Sequence, residues 1–434
     1  MRLYRTQGRS SKQTETVLRA LEQRGGSSLE EVLPTVRKIL RRVREKGDTA
    51  LLEYGKKFDG LASNAKEATV LRVSTEEMSA AWAQLDPALK QSLKTAAANI
   101  RSFARRQLPR TWNFSPARGL STGQLVRPLD SVGCYVPGGR HPLPSTMLMT
   151  AIPAQVAGVP RIVVCSPRPA LETLATAHLL GITEFYRIGG AHAIAALAYG
   201  TSSIPRVSKI VGPGSLYVTA AKREVSSDPQ RPCAIDMLAG PTEIVLTSDR
   251  GNAAFIASDL VAQAEHDPAA LAIFVTTNET LANEVMDEVK EQSRTNATAI
   301  QALKKNGYIF LASTIEEARI ITNRLAPEHL TIDTEDDLNW VQNAGSVFIG
   351  NLSAQPLGDY ISGPNHTLPT GGMATVRGGL SVVDYVKLIT VQQYSPKAIE
   401  KLGTQAIRLA EAEGLTGHAE AIRIRTNSSA KEAK

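Results

Sequence analysis

Residues 161–200 read RIVVCSPRPALETLATAHLLGITEFYRIGGAHAIAALAYG, and this stretch decides the fold. IVVC is a short β-branched apolar run, the pattern of a strand buried on both faces. LETLATAHLL repeats apolar residues at helical spacing. EFYRI returns to strand, and AHAIAALAYG is an alanine-rich helix entered through a glycine pair. Strand, helix, strand and helix at this spacing are a βα series, which builds a parallel sheet with helices on both faces.

The series extends in both directions. Its texture begins near residue 126, with LDSVGCYVPGG as a strand and PSTMLMTAIPAQVAG as a helix, and it runs on through VSKIVGPG and LYVTAAKREV. A second series starts near residue 240. EIVLTS, LAIFVTT, GYIFLA, LTIDT and GSVFIG are its strands, and AAFIASDLVAQAEHD, ETLANEVMDEVKEQSRT and IEEARIITNRLA are its helices. Before residue 107 the chain reads as helices. Ser28 and Glu31 offer a capping box for the helix EEVLPTVRKILRRVREKG. From about 382 the pattern returns to helix, and the tail TNSSAKEAK is expected to lack structure.

A chain of 434 residues exceeds one ordinary core, so two or three domains are expected. No apolar run is long enough for a membrane span. The polar start MRLYRTQGRSSKQTET has no signal-peptide core, which makes the cytoplasm the expected address. Cys134, Cys165 and Cys233 form no CxxC pair, which suits a reducing compartment. Net charge is +7, with pI near 9.2. The basic residues sit in VRKILRRVREKG and IRSFARRQLPR at the spacing of solvated helix faces. Aromatics are 5%, too few for base-stacking platforms, so no nucleic-acid partner is expected. The same charge suits a small anionic ligand.

Three strands end in glycine turns: YVPGG, IGGAHA and VGPGS. A helix N-terminus beyond a glycine turn suits phosphate. None is a full dinucleotide fingerprint, and ordinary βα turns look the same. His192 stands in the second turn, open to a metal, catalytic or cofactor role, or to none.

The other polar residues are more telling in company. Gln263 and His266 are three apart in SDLVAQAEHDP, on one face if helical, although such a pair is usually a solvated face. Glu328 and His329 adjoin in APEHLTI before an apolar strand, a pairing suited to proton transfer. GDYISGPNHTLPTGG carries Asp359, Asn365 and His366 in a glycine-rich loop, and EGLTGH carries Glu413 and His418. Together, Gln263, His266, Asp359 and His418 make a metal-ligand set, with Glu328 and His329 for acid–base work. All four ligands are N or O donors, for which zinc is the default and manganese or cobalt the alternatives. His141 and His178 have no such company.

These segments, in this order, resemble the histidinol dehydrogenase family over nearly the whole chain, from VRKILRRVREKGDTALLEYGKKFDG through YVPGG, VGPG, IDMLAGPTEI, SDLVAQAEHD, APEHL, NAGSVFIG and GDYISGPNHTLPTGG to EGLTGH. The resemblance implies NAD-linked oxidation of L-histidinol through L-histidinal to L-histidine, the last step of histidine biosynthesis, with one zinc per subunit of a homodimer. It places zinc on Gln263, His266, Asp359 and His418, with His418 supplied by the neighbouring subunit. It makes Glu328 and His329 the catalytic pair. It implies substrate contacts from Thr242, His366 and Glu413 together with Gln263, His266, His329, Asp359 and His418. It implies cofactor contacts from Tyr135, His192 and Ser215. At two of these the chain departs from the family pattern: His192 replaces a usual glutamine and Ser215 a usual asparagine. Both can still hydrogen-bond.

The expected fold is therefore α/β, with two incomplete Rossmann-like parallel-sheet domains and small helical segments at either end. The expected boundaries are 1–29 (helical), 30–134 with 242–381 (first domain), 135–241 (second domain) and 382–434 (helical, dimer contact). Three other readings differ in their requirements. A relative oxidising another alcohol would not need Glu413 beside a full ligand set, a zinc hydrolase would form no NADH, and a binding protein would not need an acid–base pair.

Overall fold

The structure is a computed structural model that describes residues 1–24, 29–138 and 142–432. Ser28 and His141 lie outside the described residues. Contacts divide the chain into two compact units: Met1–Gln107 with Asp130–Tyr385, and Leu108–Leu129 with the chain from Val386 on.

The first unit holds two six-stranded sheets. The first runs Arg2–Arg5, Gly307–Leu311, Leu271–Thr276, Glu243–Thr247, His329–Ile332 and Ser346–Ile349, all parallel. The second runs Arg72–Val73, Glu184–Tyr186, Ile162–Cys165, Val132–Tyr135, Lys209–Val211 and Ala234–Ile235, parallel except for the antiparallel edge strand Arg72–Val73. The two βα series of the sequence are these two sheets. Their central strands are buried on both faces, as the unbroken apolar runs require. Phe274 and Phe310 are fully buried, which stabilises the fold by about 2–3 kcal/mol each.

Three expectations need correction. The N-terminal segment is not wholly helical: Arg2–Arg5 is a strand at the edge of the first sheet, and only then comes the helix Ser11–Glu22. Four residues are too few to show a period, and their partner is some 300 residues away.

The expected partition also differs from the packing. The helices Leu29–Lys46 and Asp48–Phe58 share a core, through Val36, Leu40 and Leu51, with Val163 and Cys165 of the second sheet and with Ile194 of the helix Gly190–Tyr199. They do not join 242–381. A helix's apolar face is visible in sequence, but the sheet it will cover is not.

The second unit contains a three-stranded antiparallel sheet, Val386–Tyr394, Leu120–Pro128 and Trp112–Ala117, which was read as neither sheet nor strand. Two helices follow, Pro396–Ala412 and Thr416–Glu432, so the tail expected to be unstructured is helical through Glu432. Much of this unit is exposed, including Leu388, Ile389, Tyr394, Leu409 and Ile424. No helix among the described residues is long and apolar enough to cross a membrane.

Candidate active site

Two adjacent strands of the first sheet create the site at their amino ends. His329 opens one strand and pairs in register with Ile244 of the other, which sets Glu328 beside Thr242 and Glu243. Glu328 is buried. Its Oε2 accepts from Thr242 Oγ1 at 2.6 Å and from Glu243 N at 2.8 Å. Burial pushes its carboxyl up to about 7, against the pull of His329 and these two donors.

His329 is also buried, with Nδ1 3.1 Å from Glu243 O. A carbonyl can only accept, so Nδ1 is the donor and Nε2 is the free nitrogen. Nε2 lies 3.7 Å from Asp359 Oδ1. Burial alone would lower the imidazole's pKa, but Glu328 and Asp359 outweigh it and raise it.

Asp359 stands on a short helix, Gln355–Tyr360, rather than in the irregular loop the glycines suggested. Its Oδ2 accepts from Gln355 Nε2 at 2.9 Å, and its main-chain oxygen accepts from His366 Nδ1 at 2.9 Å. Burial works against the Asp359 carboxylate, but the neighbouring His329 imidazole wins and lowers its pKa. His366 is lowered, mainly by burial, with His329 and His266 adding to the effect. Its Nε2 is 3.4 Å from Thr146 Oγ1, on the helix Pro144–Ala157 that follows the second sheet's central strand. Asn365 Nδ2 donates to Met149 O of the same helix, so both sheets contribute to the site. His329, Phe348, Leu357, Asp359 and His366 line a cleft of about 380 Å³, within the range for small-ligand pockets.

Gln263 lies in the last turn of the helix Ala253–Ala264, fully buried. Its Nε2 donates to Thr242 Oγ1, while Oε1 has no partner. An unsatisfied buried carbonyl oxygen fits a cation ligand. His266 is exposed and lies beyond the helix end, so the pair does not share a helical face as expected. Among the described residues no three His, Cys, Asp or Glu side chains gather closely enough to hold a metal. Glu413 and His418 belong to the second unit, at the end of the helix Pro396–Ala412 and on Thr416–Glu432, and both are exposed.

The glycine turns at the carboxyl ends of the second sheet differ from the phosphate cradles envisaged. Gly189 N donates to Asp59 Oδ2, Gly190 N to Tyr135 Oη and Gly212 N to Asp236 Oδ2. A Cβ at Gly189 would sit 2.5 Å from Pro167, and one at Gly212 would sit 2.1 Å from Tyr135 O. Close packing therefore demands glycine there, and internal acceptors already take the amides. His192 is buried, with Nε2 2.7 Å from Asp59 Oδ2 and its ring beside those of Tyr54 and Phe58. Nε2 of His192, a residue expected to contact a dinucleotide, is thus engaged inside the protein. Ser215 is different. It is the exposed N-cap of Leu216–Ser226, and its side chain makes no capping bond.

Sequence reasoning missed Asp59, Gln355, Glu243 and Arg24. Only Glu243 left a signal, a carboxylate opening an otherwise apolar strand.

The family model for histidinol dehydrogenase matches residues 22–426. The chain belongs to the histidinol dehydrogenase family. The histidinol dehydrogenase of Methanosarcina mazei is 44% identical over 412 residues, 92% of this chain and 93% of that protein. The Bacillus cereus enzyme is 44% identical over 425 residues, 95% and 97% of the two chains. The crystal structure of histidinol dehydrogenase from Elizabethkingia anophelis superposes with a TM-score of 0.91 at 35% identity, covering 99% of this chain and 98% of the other. Histidinol dehydrogenases are oxidoreductases, and the carboxylate–imidazole pair Glu328–His329 lies within the matched residues.

Proposed function

We propose that this chain oxidises L-histidinol to L-histidine through L-histidinal, passing two hydrides in turn to NAD. The observation that carries the reading is the buried Glu328–His329 pair, held by the two main-chain atoms of Glu243 and facing Asp359.

An alcohol releases hydride readily only as its hydroxyl proton leaves. His329 Nε2, free because Nδ1 donates to Glu243 O, takes that proton. The carbon loses hydride, and the product is the aldehyde. The aldehyde must then add water to lose a second hydride. Glu328 takes a proton from that water as it adds and the carbonyl oxygen gains one. The resulting diol then gives a hydroxyl proton to His329 Nε2 and loses hydride from its carbon, leaving the carboxylic acid. A carboxyl pushed to about 7 is matched to this work near neutral pH. NAD, when bound, supplies the hydride acceptor.

Gln263, His266 and Asp359 would hold zinc, and the unpartnered Gln263 Oε1 supports the assignment. When bound, zinc would serve as a template for the substrate's imidazole and amine. Thr242, His366 and Glu413 would complete the substrate contacts. Ser215, exposed at a helix N-terminus without a capping bond, is the best-supported cofactor contact. Tyr135 and His192 would act from beneath the turn at Gly190.

His418 and Glu413 would come from a second copy, making a homodimer with shared sites. The exposed apolar side chains of the second unit support a partner there. Three free, buried cysteines support a cytoplasmic address.

The test is incubation with L-histidinol and NAD, with and without a chelator. NADH formation that a chelator abolishes and zinc restores supports the reading. NADH formation indifferent to chelation sinks the zinc assignment, and no NADH sinks the reaction.

A further inference from the structure

Both acid–base side chains are held by the main chain of one residue. Glu243 N–H donates to Glu328 Oε2 at 2.8 Å, and Glu243 C=O lies 3.1 Å from His329 Nδ1. The backbone of residue 243 therefore sets the position of both groups. The remaining question is what holds residue 243.

Its side chain is buried. Arg24 meets it there in a two-point contact, Nε to Oε1 at 2.7 Å and Nη2 to Oε2 at 2.6 Å. Arg24 is itself fixed: Nη1 donates to Leu21 O and Nη2 to Leu325 O, at 2.7 and 2.6 Å. Gly371 N donates to Glu243 Oε1 at 2.7 Å, tying in the segment that follows the His366 loop. One guanidinium thus links the end of the N-terminal helix, the end of the helix Ile315–Leu325 and the first residue of a central strand.

A buried carboxylate is costly unless paired in good geometry, and removing one partner leaves the other uncompensated. A planar guanidinium satisfies both carboxylate oxygens in a fixed orientation, whereas lysine offers one point charge. Neither Arg24 nor Glu243 lines the cleft of His329, Asp359 and His366.

We propose that Arg24 and Glu243 form a positioning pair for the acid–base residues, so that the N-terminal segment sets the geometry of both oxidation steps. This rests on the reading of Glu328 and His329 above. The pair holds the backbone of residue 243, and its N–H and C=O hold the carboxylate and the imidazole tautomer. Asp359 and His366 make no hydrogen bond to Arg24 or to the Glu243 side chain, so the loss of the pair is expected to fall mainly on the chemical steps.

The experiment compares the full-length parent with Arg24→Ala, Arg24→Lys and Glu243→Gln. It measures kcat and KM for histidinol and for histidinal, with bound zinc and unfolding curves recorded on each variant. Arg24→Ala is expected to lower kcat roughly 10–100-fold on both substrates, the scale of a misplacement of about 1 Å, while KM changes little. Millimolar guanidinium is expected to restore part of that kcat, and Arg24→Lys to fall between parent and Ala. A folded Arg24→Ala with parental kcat overturns the proposal. So does a loss confined to KM, or one that neither guanidinium nor lysine relieves. If Arg24→Ala fails to fold, Glu243→Gln, which keeps the volume, decides by the same kcat criterion. A parent that forms no NADH from histidinol overturns the functional reading itself and the positioning role with it. An active parent with unaffected variants overturns the positioning role alone.

Discussion

His192 Nε2 lies 2.7 Å from Asp59 Oδ2, and both side chains are buried. Asp59 Oδ2 also accepts from Gly189 N at 3.1 Å. One carboxylate, at the end of the helix Asp48–Phe58, therefore holds both the glycine turn and the first turn of the next helix. His192 belongs to the support of the turn rather than to its ligand face. Removing one member of such a buried pair is expected to cost about 3 kcal/mol. Denaturant unfolding of His192→Ala and Asp59→Ala checks this. His192→Gln, which keeps a hydrogen-bonding group, should retain zinc and kcat and alter mainly stability and the KM for NAD. Loss of zinc in that variant would place His192 at the metal instead.

The raised carboxyl of Glu328 makes two pH predictions. As a base it works deprotonated, so histidinal oxidation should lose rate as pH falls through about 7, by about tenfold per unit well below it. Glu328→Gln should remove this limb and damage histidinal oxidation more than histidinol oxidation, while equal loss in both steps would contradict the role given to Glu328. Thr242→Val, which deletes a donor that favours the charged form, should move the limb to higher pH. The stability effect has the opposite sign to the usual paired carboxylate. The folded state holds the proton more tightly than the unfolded chain, so stability at this group falls as pH rises from about 4.5 to about 7. Glu328→Gln should therefore melt higher than the parent at pH 8 and close to it at pH 4, as calorimetry across that range would show.

His418 tests the sharing of sites between subunits. His418→Ala is expected to lose zinc, measured by metal analysis of the purified protein. Mixed with Glu328→Gln under conditions that exchange subunits, it should regain activity, because one of the two sites in a heterodimer then has every group. Fully exchanged heterodimers without activity would mean that each chain completes its own site.

The sheets were legible because buried parallel strands write themselves as unbroken apolar runs, such as IVVC at 162–165 and AIFVT at 272–276. The strand Arg2–Arg5 and the pairing of Val386–Tyr394 with Leu120–Pro128 were not legible, since each depends on a partner more than 250 residues away. The same holds for the allocation of Leu29–Phe58 to the second sheet. Of the site, Glu328 and His329 could be read from their adjacency before an apolar strand, and Asp359 and His366 from the loop that holds them. The structure brings these four together with Gln263 and Thr242. The Asp59 partner of His192 was not legible, because a histidine beside glycines looks the same with or without a buried carboxylate beneath it. Arg24 was invisible: an arginine at the end of an amphipathic helix gives no sign that Glu243, 219 residues on, will need both its nitrogens.

The count of NADH formed per L-histidinol consumed, with histidinol limiting and NAD in excess, tests the central claim most directly. One pair of residues serving two successive oxidations predicts two NADH per histidinol, with L-histidine as the product. A count of one with histidinal accumulating, or no NADH at all, would contradict it.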